Sequence, residues 1–447
     1  MKGRTIVSLL LSLAFILPLT VRADQDKNND RDDRGLGDDA HSKHNENTPV
    51  SLLGIIPIPG NPITSADISW VDPGTERYYF ADRSNLGVDI IDAESNFFVG
   101  RVTGMAGALP SGGGTTATNG PGPNGVLVTP KHKLWAGDGN STARVADVDP
   151  DSPNYLNIIG SISTSIPACD NGTATGHYCG RADELGYDPK DHIILIANNA
   201  PLSVDAPHTA ISPYGTFISA DPPYAVLGHV AFPGAGGLEQ PLWDRELRRF
   251  WITVPGRASG NCGPGETFCP GPTIARVDPI SMKVEPTKSY TLNCQALTGT
   301  AAVNITGIAL APFEHLLVSA CGRPIILSGL TGHVFNVITQ VGGGDEVWYN
   351  PGDGRFYVTG ASTVAPLVQS LGVIDSETSS WLQNVPDVRG KNPASFAENN
   401  HTFTIVQITA AIAAGQAPDD SVCTQSGLVG RGCVAVFGHG NGDNDDK

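Results

Sequence analysis

This chain carries little charge, and less than half of it is positive: 16% of its residues are charged, with 28 Lys plus Arg against 45 Asp plus Glu. A formal net charge of −17 leaves no basic face to neutralise phosphates, so a nucleic-acid partner is excluded. Beyond residue 23 no apolar run is long enough to cross a bilayer, and no membrane span is expected. No Cys-x-x-Cys pair occurs, which argues against a metal site of that kind and against an attached c-type haem. Neither a Gly-x-Ser-x-Gly elbow nor a Gly-x-x-x-x-Gly-Lys-Ser/Thr phosphate loop is present. Gly112–Gly114 with Thr115 and Thr116 reads as a flexible loop, not a nucleotide site.

Glycine and proline, by contrast, are abundant, at 53 and 34 of 447 residues, too many for a helical protein. Residues 1–23 read as a secretory signal. Lys2 and Arg4 open it, residues 6–19 are its apolar core, and Val21-Arg22-Ala23 precedes a cleavage site. The expected destination is outside the cell or the periplasm. Residues 24–47 form an acidic, solvated tail, and 441–447 form another. Eight cysteines fit an oxidising compartment. Proximity pairs them as Cys169/Cys179, Cys262/Cys269, Cys294/Cys321 and Cys423/Cys433.

One unit dominates residues 48–440: a polar start, a short strand, a tight turn, then an apolar strand. It is clearest at residues 182–198 (ADELGYDPKDHIILIAN) and recurs at 66–82, 123–138, 238–254, 305–321, 344–360 and 391–406. The copies begin about 40 to 70 residues apart, near the spacing of propeller blades. Aromatic and branched residues fill the second strands (YYFA, KLWA, IILIA, RFWIT, RFYVT), as suits sheets packed face to face. Third strands follow at 87–93, 143–150, 273–279 and 371–378. Outer strands follow at 97–102, 155–162, 226–232, 284–292, 334–341 and 381–385. The last unit has no outer strand of its own, whereas residues 50–57 are a strand without a unit. The expected fold is therefore all-β, a seven-bladed β-propeller closed by an N-terminal strand that joins the last blade. A six-bladed count stays open if residues 293–341 are irregular. Insertions at 104–122, 166–180, 200–221, 255–272 and 410–426 are long enough to be functional.

The turns align at Pro73, Pro130, Pro189, Arg245, Pro312, Pro351 and Glu398. Six places earlier stand Asp67, Asn124, Asp183, Glu239, Thr306, Asp345 and Asn392, every one an oxygen donor. The next column is Ile68, Gly125, Glu184, Gln240, Gly307, Glu346 and Pro393. In a propeller these positions start the innermost strands and converge on one mouth of the axial channel. Asp67, Asn124, Asp183, Glu239, Asp345 and Asn392 are thus candidate ligands of a divalent cation, Ca²⁺ foremost. Asp183, Glu184 and Glu346 are candidate proton carriers beside it. Equally, polar strand starts can bond to the backbone of the next blade or face water. His132, His192, His315 and His401 share a turn position and read as turn residues, while His177 lies where it would overhang the mouth.

Residues 123–130 (PNGVLVTP) with Leu134-Trp135-Ala136 resemble a blade of the gluconolactonase/senescence-marker family and of YVTN-type and NHL-type propellers. That family places Glu, Asn, Asn and Asp around one axial divalent cation. The resemblance implies that Asn124 is one Asn, Asp183 or Asp345 the Asp, and Glu239 the Glu by column alone, since Leu-Glu-Gln-Pro replaces the family's Glu-Gly-Pro. It also implies six blades against the seven counted. Two readings follow for a small molecule at the mouth, with the chain a monomer. One is a metal-dependent lactonase or esterase, with a metal-assisted lyase as a variant. The other is a non-catalytic binder of a ligand, polymer or protein.

Overall fold

In the computed structural model, residues 48–105, 122–139, 141–166, 181–198, 212–257, 262–387 and 389–440 are described. Seven small antiparallel sheets form a ring, and the first strand of the chain, β1 (Val50–Ile56), belongs to the last of them. Blade 1 is β2 (Ser69–Asp72), β3 (Arg77–Asp82), β4 (Gly87–Asp92) and β5 (Phe97–Thr103). Blade 2 is β6 (Pro123–Thr129), β7 (Lys133–Asp138), β8 (Thr142–Asp147) and β9 (Ile158–Ser163). Blade 3 is β10 (Ala182–Asp188), β11 (Ile193–Asn198), β12 (Tyr214–Ser219) and β13 (Val226–Ala231). Blade 4 is β14 (Pro241–Asp244), β15 (Arg249–Val254), β16 (Thr273–Asp278) and an outer edge split into β17 (Lys283–Val284) and β18 (Tyr290–Thr291). Blade 5 is β19 (Ile305–Ala311), β20 (His315–Ala320), β21 (Arg323–Ser328) and β22 (Val334–Val337). Blade 6 is β23 (Val347–Asn350), β24 (Arg355–Ala361), β25 (Gln369–Asp375) and β26 (Ser380–Pro386). Blade 7 is β27 (Gly390–Phe396), β28 (His401–Val406) and β29 (Cys433–His439), with β1 outermost.

The innermost strands touch in a closed cycle, β2–β6–β10–β14–β19–β23–β27 and back to β2. Hydrophobic clusters fill every gap between neighbouring blades. Tyr78 and Phe80 meet Phe396 and Phe403 between blades 1 and 7, and Phe217 meets Phe250 between blades 3 and 4. The second strands supply much of this filling, and Trp135, Trp251, Tyr79 and Tyr357 among them are fully buried. Sheet-on-sheet burial of this kind is what drives the ring to close.

Closure is antiparallel, with Val50 opposite His439 and Ile56 opposite Val434. Blade 5 is complete, which removes the six-bladed count. The insertion expected at 200–221 contains β12, the third strand of blade 3. Its Pro-Tyr-Gly start reads as a loop, yet Tyr214, Phe217 and Ile218 are buried. The outer strand expected at 155–162 starts at Ile158, because Tyr155 is held in a turn by a lone bridge to Asp147. The one expected at 284–292 is interrupted at Pro286, which starts a 3-10 turn (Pro286–Lys288). The disulfides Cys262–Cys269, Cys294–Cys321 and Cys423–Cys433 are formed. Cys169/Cys179, His177 and most of the insertions at 104–122 and 166–180 lie outside the described residues. Among the described residues no helix is long and apolar enough to cross a membrane.

Candidate functional site: the mouth of the axial channel

The two polar columns coincide with β-bulges. In blades 2, 3, 5 and 7 the register slips between Pro123 and Val126, Ala182 and Leu185, Ile305 and Ile308, and Lys391 and Ala394. Each slip contains the paired column residues. In blade 1 the same pattern lies just before β2: Asp67 N donates to Ala81 O, and Ala81 N donates to Ile68 O. Blade 4 repeats it, with Glu239 N bonded to Thr253 O and Thr253 N to Gln240 O. A bulge sets two residues against one and re-aims their side chains. That is why a period-2 strand presents two adjacent polar residues here.

Many of these side chains bind a neighbouring blade. Asn124 Nδ2 donates to Ala182 O at 3.1 Å, and Gln240 Oε1 accepts from Ile308 N at 2.8 Å. Thr306 Oγ1 donates to Gly344 O at 2.8 Å. Asn392 Oδ1 accepts from Glu346 N at 3.2 Å, and Asn392 O accepts from Ser69 Oγ at 2.7 Å. Asn392 holds a left-handed backbone, φ 47°, which Asn tolerates better than most residues. Hydrogen bonding between blades, one of the two roles open to these columns, is thus part of their work.

Two arginines, absent from the sequence columns, enter the same ring. Arg83, directly after β3, forms an ion pair with Asp67 and donates from Nη2 to Asn124 Oδ1 at 2.6 Å. Arg181, two residues before Asp183 and so on its face of the extended chain, donates from Nε to Asp183 Oδ2 at 2.7 Å. Burial works against the Arg181 charge, but Asp183, then Asp67 and Glu239, hold its proton more tightly than usual. At the rim, Lys391 Nζ lies 3.7 Å from Asp345 Oδ2.

The carboxylates converge. Burial, followed by the charges of Asp183, Glu239, Asp345 and Glu346, raises the pKa of Glu184 well above the usual range. Burial and then Asp183 raise that of Glu239, with Arg181 opposing and Asp345 and Asp67 adding. Burial raises Glu346 also, against the hydrogen bond that its Oε2 accepts from Ser69 N at 3.0 Å. Blade 7 stands between blades 6 and 1, so this bond carries the Glu346 carboxyl past the inner edge of blade 7. Glu184 and Glu346 are 3% and 1% exposed, and among the described residues neither Glu184 Oε2 nor Glu346 Oε1 has a hydrogen-bond partner.

Among the described residues no three His, Cys, Asp or Glu side chains are disposed to hold a metal ion. Asp67, Asn124, Asp183, Glu239, Asp345 and Asn392 do stand together at the starts of the innermost strands, but Arg83 and Arg181 supply positive charge there from the protein itself. Three of the four turn histidines take partners among the turns: His192 pairs with Asp221, His315 with Ser376 O and His401 with Asn96.

No family model matches this chain. No curated protein matches it either. Among solved structures, a chain of the "Crystal Structure of Mitotic Checkpoint Complex" superposes with a TM-score of 0.52 at 11% identity, covering 90% of this chain and 96% of that one. At that identity the likeness speaks for the fold alone, and it agrees with the propeller.

Proposed function

We propose that this is an exported propeller that binds a ligand at the mouth of its axial channel. Glu184 carries the reading. A buried carboxyl oxygen without a hydrogen-bond partner is costly; among the described residues Glu184 Oε2 has none, and it stands where acids from blades 1, 3, 4 and 6 meet. Such a group is retained more readily in a site than in a scaffold. The signal-like N-terminus and the three disulfides support export. A thermal-shift screen of small molecules on the wild type and on Glu184→Gln tests it. A ligand that raises the melting temperature only in the wild type supports the proposal. A screen in which every hit acts equally on both proteins counts against it.

The second reading is a Ca²⁺-dependent hydrolase of lactonase or esterase type, as the resemblance to the gluconolactonase and YVTN/NHL propellers implies. Asp67, Asn124, Asp183, Glu239, Asp345 and Asn392 would hold the cation, and Asp183, Glu184 and Glu346 would move protons. The raised proton affinity of Glu184 and Glu346 favours it, since a carboxyl that keeps its proton can serve as a general acid. Against it stand the two arginine pairs. Elemental analysis, calcium-dependent melting and a lactone and ester panel separate it from the binder. Stoichiometric calcium with turnover would establish the enzyme.

A further inference from the structure

Building on the mouth as a binding site, we propose that its ligand is an organic cation: an ammonium or guanidinium group attached to a flat apolar body. Glu239 shares the field of Arg181, and the other acids at the mouth divide into two sets. Asp67, Asp183 and Asp345 each face a basic side chain, Arg83, Arg181 and Lys391. Among the described residues Glu184 and Glu346 face none, and each keeps a buried oxygen with no partner. A cation donating to both would satisfy those oxygens without displacing an arginine. A divalent metal is a poorer fit, because it asks for six or more oxygens at short range, and no three-acid cluster is arranged for one among the described residues.

The apolar half of the ligand has a place too. Trp348 lies on β23, two residues beyond Glu346 in the chain. It meets Trp70, next to Ser69, edge to face, with ring centroids 5.4 Å apart and planes at 82°. The pair joins blades 6 and 1 past the inner edge of blade 7, as the Glu346–Ser69 bond does. Trp135 and Trp251, on second strands, are fully buried, whereas Trp70 and Trp348 keep exposed surface. A perpendicular pair leaves ring faces outside its own contact. Carboxyl groups near aromatic rings are the combination that recognises alkylammonium and guanidinium groups, and a bound cation would draw Glu184 and Glu346 into their charged form.

Isothermal titration of the full chain with phenethylammonium, hexylammonium, benzamidinium, phenethyl alcohol and CaCl2 tests this. At least one organic cation binds, and the neutral alcohol binds about tenfold more weakly or not at all. Glu184→Gln and Glu346→Gln each weaken that cation by roughly tenfold, while their melting curves show folded protein. Trp348→Ala weakens the cation and leaves any CaCl2 response unchanged; Trp348→Phe restores part of the binding should the alanine variant fail to fold. Binding of CaCl2 alone, lost in Glu184→Gln, overturns the organic cation and leaves the mouth as a site. If no organic cation binds, or if binding is indifferent to both glutamine variants, the proposal falls. If neither variant alters binding of any probe, the mouth falls with it.

Discussion

Blades 3 and 6 bring acid doublets to the axis, Asp183-Glu184 and Asp345-Glu346, while the blades just before them bring Asn124-Gly125 and Thr306-Gly307. A Cβ on Gly125 would stand 2.3 Å from Asp183 O and 2.4 Å from Glu184 Cα. On Gly307 it would stand 2.6 Å from Val347 N and 2.8 Å from Glu346 Cα. Each glycine is therefore the room into which the next blade's doublet moves. The two halves of the ring repeat one device, a small residue in one blade admitting a pair of acids from its neighbour. Acidity and smallness in these columns are one feature seen from two blades.

The hardest test of that pairing is Gly125→Ala or Gly307→Ala. The clash is with backbone, which cannot rotate away, so a loss of about 3 kcal/mol or more is expected in urea unfolding. A tolerated alanine would uncouple the glycines from the doublets. Next comes Arg181→Leu, which leaves buried Asp183 without its cation and should cost about 3–5 kcal/mol. Arg83→Leu should cost less, because Asp67 lies nearer solvent than Asp183.

Blade 7 offers a contrast without a doublet. Asp387, at the approach to β27, is fully enclosed, and burial pushes its pKa up to about 8. A raised carboxyl stabilises the fold fully below the unfolded-state value near 4 and loses that contribution as pH climbs toward 8. Asp387→Asn should flatten the pH dependence of melting across this window and stabilise the protein at pH 7 by at most roughly 4 kcal/mol. A curve unchanged from the wild type would mean that Asp387 does not carry it. The smallest effect belongs to the rim: Lys131 and Asp221 form an exposed pair, and Lys131→Ala should move stability by less than about 0.5 kcal/mol.

The hairpins were legible because turn residues and aromatic second strands recur in fixed order. The closing strand was legible because residues 50–57 had nowhere else to go. Three disulfides were legible from proximity alone. β12 was hidden, since a strand inside a long insertion loses the turn that would mark it. At the mouth, the column of oxygen donors predicted convergence but not neutralisation. Arg83 follows a second strand and Arg181 precedes a first one, so the two fall in no shared column. The signal at Arg181 was available, as Arg181 and Asp183 alternate on one face. The Trp70–Trp348 contact was not, because it joins blades that are not neighbours in the ring.

The pairing of Val50 with His439 has a practical side. Partners in an antiparallel ladder lie about 5 Å apart, so a few flexible residues would weld the two ends of the propeller together. New ends could then be cut at any exposed hairpin, for instance between β25 and β26, without breaking a blade. A permutant of that kind would carry both ends on a different blade, freeing β1 from its task as a non-covalent latch.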